Sequence, residues 1–160
     1  MDSSAIQPGK DLSSIGPTLA AEMLKPPYRP KVSGRIAFFF GPVAGALVSV
    51  INLRRFGYPL KATRVLRWTL LGAVALAALI VIIPDYLSRL VGLGAEIAFY
   101  MIYPSLQERE FDEWQAAHPE IEPLNGWKAL GWGVVGLVFF VIIIVLVGIV
   151  LSMLFPSLVR

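Results

Sequence analysis

The sequence lacks cysteine and contains a single histidine, His118. Without cysteine the chain has no disulfide framework, no thiol nucleophile and no thiolate metal site. Haem and most catalytic metal sites in membranes use two or more imidazoles, so one copy of this chain, with its single histidine, cannot build such a site alone. Only an oligomer that pooled its histidines could do so. We therefore expect no cofactor and no metal site.

Charged residues are also scarce, at 16% of the 160 residues against the roughly 25% that is usual in soluble domains. Hydrophobic residues make up 56%, and the mean hydropathy is +0.70. The apolar residues are concentrated in long runs over 36–53, 68–103 and 131–155. Runs of this length are typical of helices that cross a lipid bilayer.

The sequence therefore predicts an all-α, integral membrane helical bundle with about four transmembrane helices and one interfacial helix. We expect the spans at about 36–53, 67–84, 86–103 and 130–155, and the acidic interfacial helix at about 105–118. Residues 1–33 are rich in Ser, Pro and Gly, a composition that favours a flexible tail. Residues 34–160 form the predicted membrane domain.

The first apolar run is compatible with two topologies. Its length gives about 27 Å of helix, just enough to cross the hydrocarbon core. However, Pro42 removes a backbone hydrogen bond and can kink or break the helix. A chain that turned back at Gly41-Pro42 would need cover from other helices. We expect a full crossing and keep the re-entrant path as the alternative.

Residues 37–57 contain two linked patterns, Phe39-Phe40-Gly41-Pro42-x-Ala44-Gly45 and Asn52-x-Arg54-Arg55-x-Gly57. Together they resemble the FFGGPLAG-like first hydrophobic segment of many small uncharacterised bacterial membrane proteins. Phe40 stands where such segments often carry another glycine. The resemblance covers about 20 residues and implies a multi-pass protein of the bacterial cytoplasmic membrane. It implies no activity.

Small residues recur at helical spacing in the first three apolar segments, where they allow another helix to approach closely. The predicted helix-packing positions are Gly41, Gly45, Ser49, Ala73, Ala77, Ser88 and Gly92. Such faces favour assembly of the chain with copies of itself or with other membrane subunits.

Glu96 is the ionisable residue nearest the middle of a predicted span. A charged side chain at that depth costs about 2.5–3.5 kcal/mol on insertion scales and usually faces a bundle interior, a partner or water. One interpretation is a proton or cation relay, or a charged contact to another subunit. The other is a protonated carboxyl that is hydrogen-bonded to a neighbouring helix.

Basic residues flank the first apolar run on both sides. The connector after it contains Arg54, Arg55, Lys61, Arg64 and Arg67, which we expect to contact anionic lipid. If the run crosses fully, its two basic flanks lie on opposite sides of the membrane with nearly equal charge. The positive-inside rule then hardly favours either orientation. We expect connector 54–67 and the acidic segment 104–126 on the cytoplasmic side. We expect no nucleic-acid partner, because no recognised module accompanies the charge.

No arrangement of residues indicates catalysis. The acidic group near His118 has no metal-ligand spacing, and the serines lack the histidine and carboxylate neighbours that nucleophilic catalysis needs. The expected function is a non-enzymatic membrane subunit or scaffold, as a homo-oligomer or within a larger complex. The alternative is a small oligomeric channel or transporter with Glu96 in a proton or cation path. An enzyme acting on lipid at the basic connector is a third, weaker hypothesis.

Overall fold

The structure, a computed structural model, describes residues 25–155. In this range the chain forms six α-helices and one 3-10 helix, and its only β-bridge joins Tyr28 to Leu124. The helices are α1 (Pro30–Phe40), α2 (Pro42–Arg55), α3 (Pro59–Ile82), α4 (Asp85–Ser105), α5 (Glu108–Ala117) and α6 (Leu130–Leu154), with the 3-10 helix at Gly126–Ala129. The predicted all-α class is confirmed.

The first apolar run is not one helix. It is divided at Gly41, which has a φ of +86° and separates α1 from α2. The two helices then pack against each other in opposite directions, because Tyr28 bonds to Asn52 and Gly45 lies against Ala37. We expected one crossing span over 36–53, whereas the chain turns back at Gly41, as in the alternative path. Residues 30–55 form a helical hairpin with its tip at Gly41.

Two adjacent residues explain the sharp reversal. Gly41 adopts a left-handed conformation that other residues rarely occupy, and Pro42 begins α2 at a position where its missing N–H costs little. Gly45 then allows the two helices to close. A Cβ at this position would collide with the Ala37 side chain and would lie 2.9 Å from the Ser33 carbonyl oxygen.

The hairpin is enclosed by the three longer helices. α1 packs chiefly against α4 and α2, while α2 also packs against α3 and α6. One buried cluster joins Ile36, Ala44 and Val48 to Tyr28 and Ala129. Most of the buried core therefore belongs to the hairpin, and the long helices expose large apolar side chains elsewhere.

Two helical stretches are long and apolar enough to cross a membrane: Pro59–Ile82 and Gly126–Leu154. They contain most of the predicted spans 67–84 and 130–155. The predicted span 86–103 lies in α4, which has 21 residues but does not join this pair. Arg89 and Glu96 make α4 less apolar.

Several predicted helix ends differ from the structure. Pro104 lies inside α4, which ends at Ser105, two residues after the end of the predicted span 86–103. The Ser105 hydroxyl donates to the Ile102 carbonyl, so it does not cap the acidic helix, which begins at Glu108. Of the predicted tail, residues 1–24 lie outside the described residues. Tyr28 is buried and α1 begins at Pro30, so the folded part starts before residue 34.

Candidate functional site

A buried polar network holds the open end of the hairpin. The Asn52 side chain accepts a hydrogen bond from the Tyr28 N–H at 2.8 Å and donates to the Tyr28 carbonyl at 2.9 Å. It also donates to the Gln107 Oε1 at 2.8 Å. Asn52 and Gln107 are fully buried, so both amides are removed from solvent. Asn52 thus connects the strand-like segment before α1, helix α2 and the loop after α4.

Gln107 extends this network to α1. Its Nε2 donates to the Ser33 hydroxyl at 2.6 Å and to the Tyr103 carbonyl at 3.1 Å, and it lies 3.4 Å from the Ser49 hydroxyl. Ser33 donates in turn to the Pro30 carbonyl. Among residues 25–155, every buried side-chain nitrogen and oxygen has a partner. With its polar atoms satisfied internally, the network acts as a structural clamp and leaves no group free for a ligand.

Tyr103 holds the tip of the hairpin from the other side. Its hydroxyl donates to the Pro42 carbonyl at 2.8 Å and lies 3.0 Å from the Thr69 hydroxyl. The ring is 1% exposed and stacks on Phe99 at 5.5 Å. One side chain of α4 therefore contacts both the hairpin tip and the middle of α3.

The tip lies halfway along the two long apolar helices. Thr69 is ten residues after Pro59, which corresponds to about 15 Å along α3. The Gly41 Cα faces the ring of Phe140, ten residues after Leu130, so the depth along α6 is also about 15 Å. The tip of the hairpin thus lies at the same depth along α3 and along α6.

This arrangement gives the molecule two unlike ends. One end contains the open end of the hairpin, the starts of α3 and α6, the end of α4 and all of α5, and we call it the basal end. The distal end contains the Pro84 turn and Phe155. The acidic helix belongs to the basal end because Lys61 forms an ion pair with Glu110 and the Tyr58 hydroxyl donates to Glu113 at 3.3 Å.

Most of the small residues selected as helix-packing positions lie against other parts of the same chain. Gly41 and Gly45 contact Phe140 and Ala37, and Ser49 is buried beside Gln107. Ala73 and Ala77 on α3 are fully buried. Ser88 is half-buried, and a Cβ at Gly92 would meet no atom of the described residues within 4 Å. Of the predicted glycine positions, the open one is therefore Gly92 on α4.

The structure also uses small and polar residues that we did not select from the sequence. Gly136 on α6 lies directly against the Ala44 backbone, and Gly133 lies against the Phe40 ring. Their three-residue spacing on one helix face could have identified them. Asn52 and Gln107 were also missed as a pair, since their separation of 55 positions gives no local signal.

Glu96 lies near the middle of α4 and is half-buried. It is 11 residues after Asp85 and nine before Ser105, about 14–16 Å from either end of the helix. Its carboxylate forms no hydrogen bond or ion pair with any described residue. Gly92 is four positions earlier on the same helix face, where the structure leaves room for another helix.

The basic connector is divided between internal and exposed positions. Arg55 donates to the Pro26 carbonyl at 2.7 Å and lies 5.2 Å above the Tyr28 ring, and Lys61 pairs with Glu110. Arg54, Arg64 and Arg67 are exposed at the basal end. The positions predicted to contact lipid therefore include Arg55 and Lys61, whose side chains bind within the chain.

The acidic helix has its own electrostatic contacts. Arg109 pairs with Glu113, four residues later on the same helix, at 2.9 Å. This hydrogen bond lowers the pKa of Glu113, while partial burial and the nearby Glu113 raise the pKa of Tyr58. His118 stacks on Trp114 at 5.2 Å. Between residues 25 and 155, no cluster of three His, Asp or Glu side chains could hold a metal ion.

Comparison with known proteins gives no assignment. No protein-family model matches the chain. The searches of curated proteins and of solved structures also find no significant match.

Proposed function

We propose that this chain is a non-enzymatic, integral membrane subunit that assembles with other chains inside the bilayer. In this proposal α3, α4 and α6 cross the membrane, and the hairpin enters from the basal end and returns. The two long apolar helices, α3 and α6, support this membrane topology, because their large side chains are mostly exposed and suit a lipid environment. The length of α1, 11 residues or about 16 Å, is too short for a crossing.

The contacts of α4 support a third crossing in spite of its charged residues. The Pro84 turn connects its start to the distal end of α3, and Tyr103 joins its last turns to Thr69. If α3 crosses the bilayer, α4 must return through the same thickness. Its 21 residues give about 31 Å, enough for the hydrocarbon core.

The hairpin also favours one orientation. Because the chain turns back at Gly41, the basic residues on both flanks of the first apolar run lie at the basal end. These residues are Lys25, Arg29, Lys31, Arg35, Arg54, Arg55, Lys61, Arg64 and Arg67. On the distal side the described chain has Arg89. The positive-inside rule then favours a cytoplasmic basal end, because both basic flanks lie on the same side and no longer oppose each other as in a full crossing.

The observation that carries the assembly proposal is the environment of Glu96. In the proposed topology this carboxyl lies at mid-bilayer without a partner in the described chain, beside the open Gly92. An ionisable group at that depth is costly unless it meets a polar partner or water. A helix from a second copy or another subunit could approach over Gly92 and supply a hydrogen-bond partner to Glu96.

Particle mass in a mild detergent tests this interface. Gly92→Leu should separate the assembly because the larger side chain blocks the approach of the partner helix. Gly94→Leu is the matched control, since Gly94 is equally open but lies on another face of α4. We expect the control to keep the mass of the native particle. An unchanged mass for Gly92→Leu would contradict the proposal.

The same carboxyl supports a second candidate, a small oligomeric channel or transporter with Glu96 in a proton or cation path. In reconstituted vesicles, Glu96→Gln should then abolish flux, whereas it should leave particle mass largely unchanged, since Gln still forms a hydrogen bond. Wild-type vesicles that conduct no more than protein-free liposomes would eliminate this candidate and leave the assembly role in place.

A further inference from the structure

An open groove of about 760 Å³ runs between the outer face of α1 and the start of α6. Its rim contains Arg29, Arg35 and Trp127, and its apolar wall includes Phe39 and Leu130. Glu122 is the one acidic residue of the lining. The groove thus combines a basic rim with a long apolar surface.

A second, smaller groove adjoins the first. It has a volume of about 300 Å³ and lies between α1 and α4, where Ile97 and Tyr100 form its far wall. Arg35 and Phe39 line both grooves. The exposed Phe39 therefore forms a ridge between two apolar surfaces, and Arg35, four residues earlier on the same helix face, lies toward the basal end.

The depth of the rim matches the headgroup region in the proposed topology. Arg35 is five residues after Pro30, about 7 Å into α1. Trp127 is 76% exposed at the start of the second candidate span. Tryptophan side chains favour the boundary between headgroups and acyl chains, and arginine side chains at this level extend toward phosphate.

The charge of the rim favours an anionic occupant. Neither Arg29 nor Arg35 forms an ion pair with a described residue, and the two exceed the single carboxylate of Glu122. Guanidinium groups bind phosphate oxygens through paired N–H donors. A cationic rim above two apolar grooves is complementary to one phosphate joined to two acyl chains.

We propose that this surface binds one anionic glycerophospholipid. Arg35 and Arg29 bind its phosphate, Trp127 lies at the level of the glycerol, and the two acyl chains lie on either side of Phe39. This inference rests on the proposed membrane topology, but it is independent of the Glu96 interface. It adds a lipid site outside the connector 54–67.

Native mass spectrometry of the detergent-purified full chain tests the headgroup contact. The protein is mixed with phosphatidylglycerol or phosphatidylcholine at equal mole fraction, and the bound lipid is counted. We expect one phosphatidylglycerol to be retained in preference to phosphatidylcholine. Arg35→Gln should weaken that retention about fivefold, the effect of one basic residue at a lipid surface. Arg89→Gln, at an exposed arginine outside both grooves and outside the basic connector, should change it little.

The acyl-chain contact needs a separate variant. Phe39→Ala should weaken retention of both lipids, whereas Phe139→Ala, which removes another exposed ring, on α6, should not. Excess inorganic phosphate should not displace the lipid if the acyl chains contribute. The proposal is overturned if Arg35→Gln retains phosphatidylglycerol as well as Arg89→Gln does, or if phosphate alone displaces the lipid. Carbonate extraction of the same variants separates this result from the topology, because membrane retention does not depend on the groove.

Discussion

Replacing Asn52 with leucine should open the basal end of the hairpin. The substitution keeps a similar side-chain volume but leaves the Tyr28 N–H, the Tyr28 carbonyl and the Gln107 Oε1 without their buried partner. Side-chain hydrogen bonds in a membrane protein average about 0.6 kcal/mol, whereas an unsatisfied buried group costs about 1–3 kcal/mol. For three contacts that share one side chain, we expect a loss of about 2–5 kcal/mol in the free energy of unfolding.

The assay is reversible unfolding of the purified protein in mixed micelles, with helix content as the signal. Ser105→Ala is the control, because it removes an exposed hydrogen bond to the Ile102 carbonyl and should cost less than about 0.5 kcal/mol. The double variant Asn52→Leu/Gln107→Leu should cost less than the sum of its single variants, since both remove the same bond. If Asn52→Leu is as stable as Ser105→Ala, the clamp does not hold the hairpin.

Two further predictions concern close packing and pH. Gly45→Ala should destabilise the fold by about 1–3 kcal/mol in the same assay, because the new methyl collides with the facing helix; Gly148→Ala, at an open position, should not be destabilising. Arg109 lowers the pKa of Glu113 below its usual 4.5. The pair therefore stabilises α5 at pH values above the pKa that Glu113 has in the unfolded chain, and this stabilisation is lost as the pH falls through the lower pKa of Glu113 in the folded protein. Hydrogen exchange of the α5 amides, corrected for intrinsic rates, should therefore accelerate at acidic pH; Glu113→Gln should remove this dependence, and a wild-type rate with no acid dependence would contradict the reasoning.

Hydrophobic run length was enough to predict the helical class and the two longest apolar helices. The residues of α3 and α6 are apolar on nearly all sides, so hydropathy alone indicates their type and approximate position. The pair Arg109–Glu113 was also predictable, because residues four positions apart face each other on any helix. These features depend on local sequence.

The hairpin could not be predicted from the same signal. The run 36–53 has the length of a crossing, but α1 begins six residues before it. The first half of α1 includes Lys31 and Arg35, so a search for apolar runs does not detect that part of the helix. Pro42 indicated a kink without indicating its angle. What determines the reversal is the φ of Gly41 together with the contact of Asn52 with Tyr28, 24 positions away. Such long-range pairing has no periodic pattern.

The small-residue faces show a related limit. Their spacing predicts that some helix will approach, but it does not identify whether that helix belongs to the same chain. Gly45 contacts α1 of its own hairpin, whereas Gly92 has the same kind of pattern and remains open among the described residues. The difference depends on the topology, so only the structure separates internal packing positions from candidate interface positions.

Side-specific labelling tests the back-folded hairpin most directly. Because the chain has no cysteine, single cysteines can be placed at Lys31, Arg64 and Tyr86, which are all exposed. In sealed vesicles, a membrane-impermeant maleimide should label Lys31→Cys and Arg64→Cys from the same side and Tyr86→Cys from the opposite side. If Lys31→Cys and Arg64→Cys were labelled from opposite sides, the segment between them would cross the membrane and the hairpin topology would be contradicted.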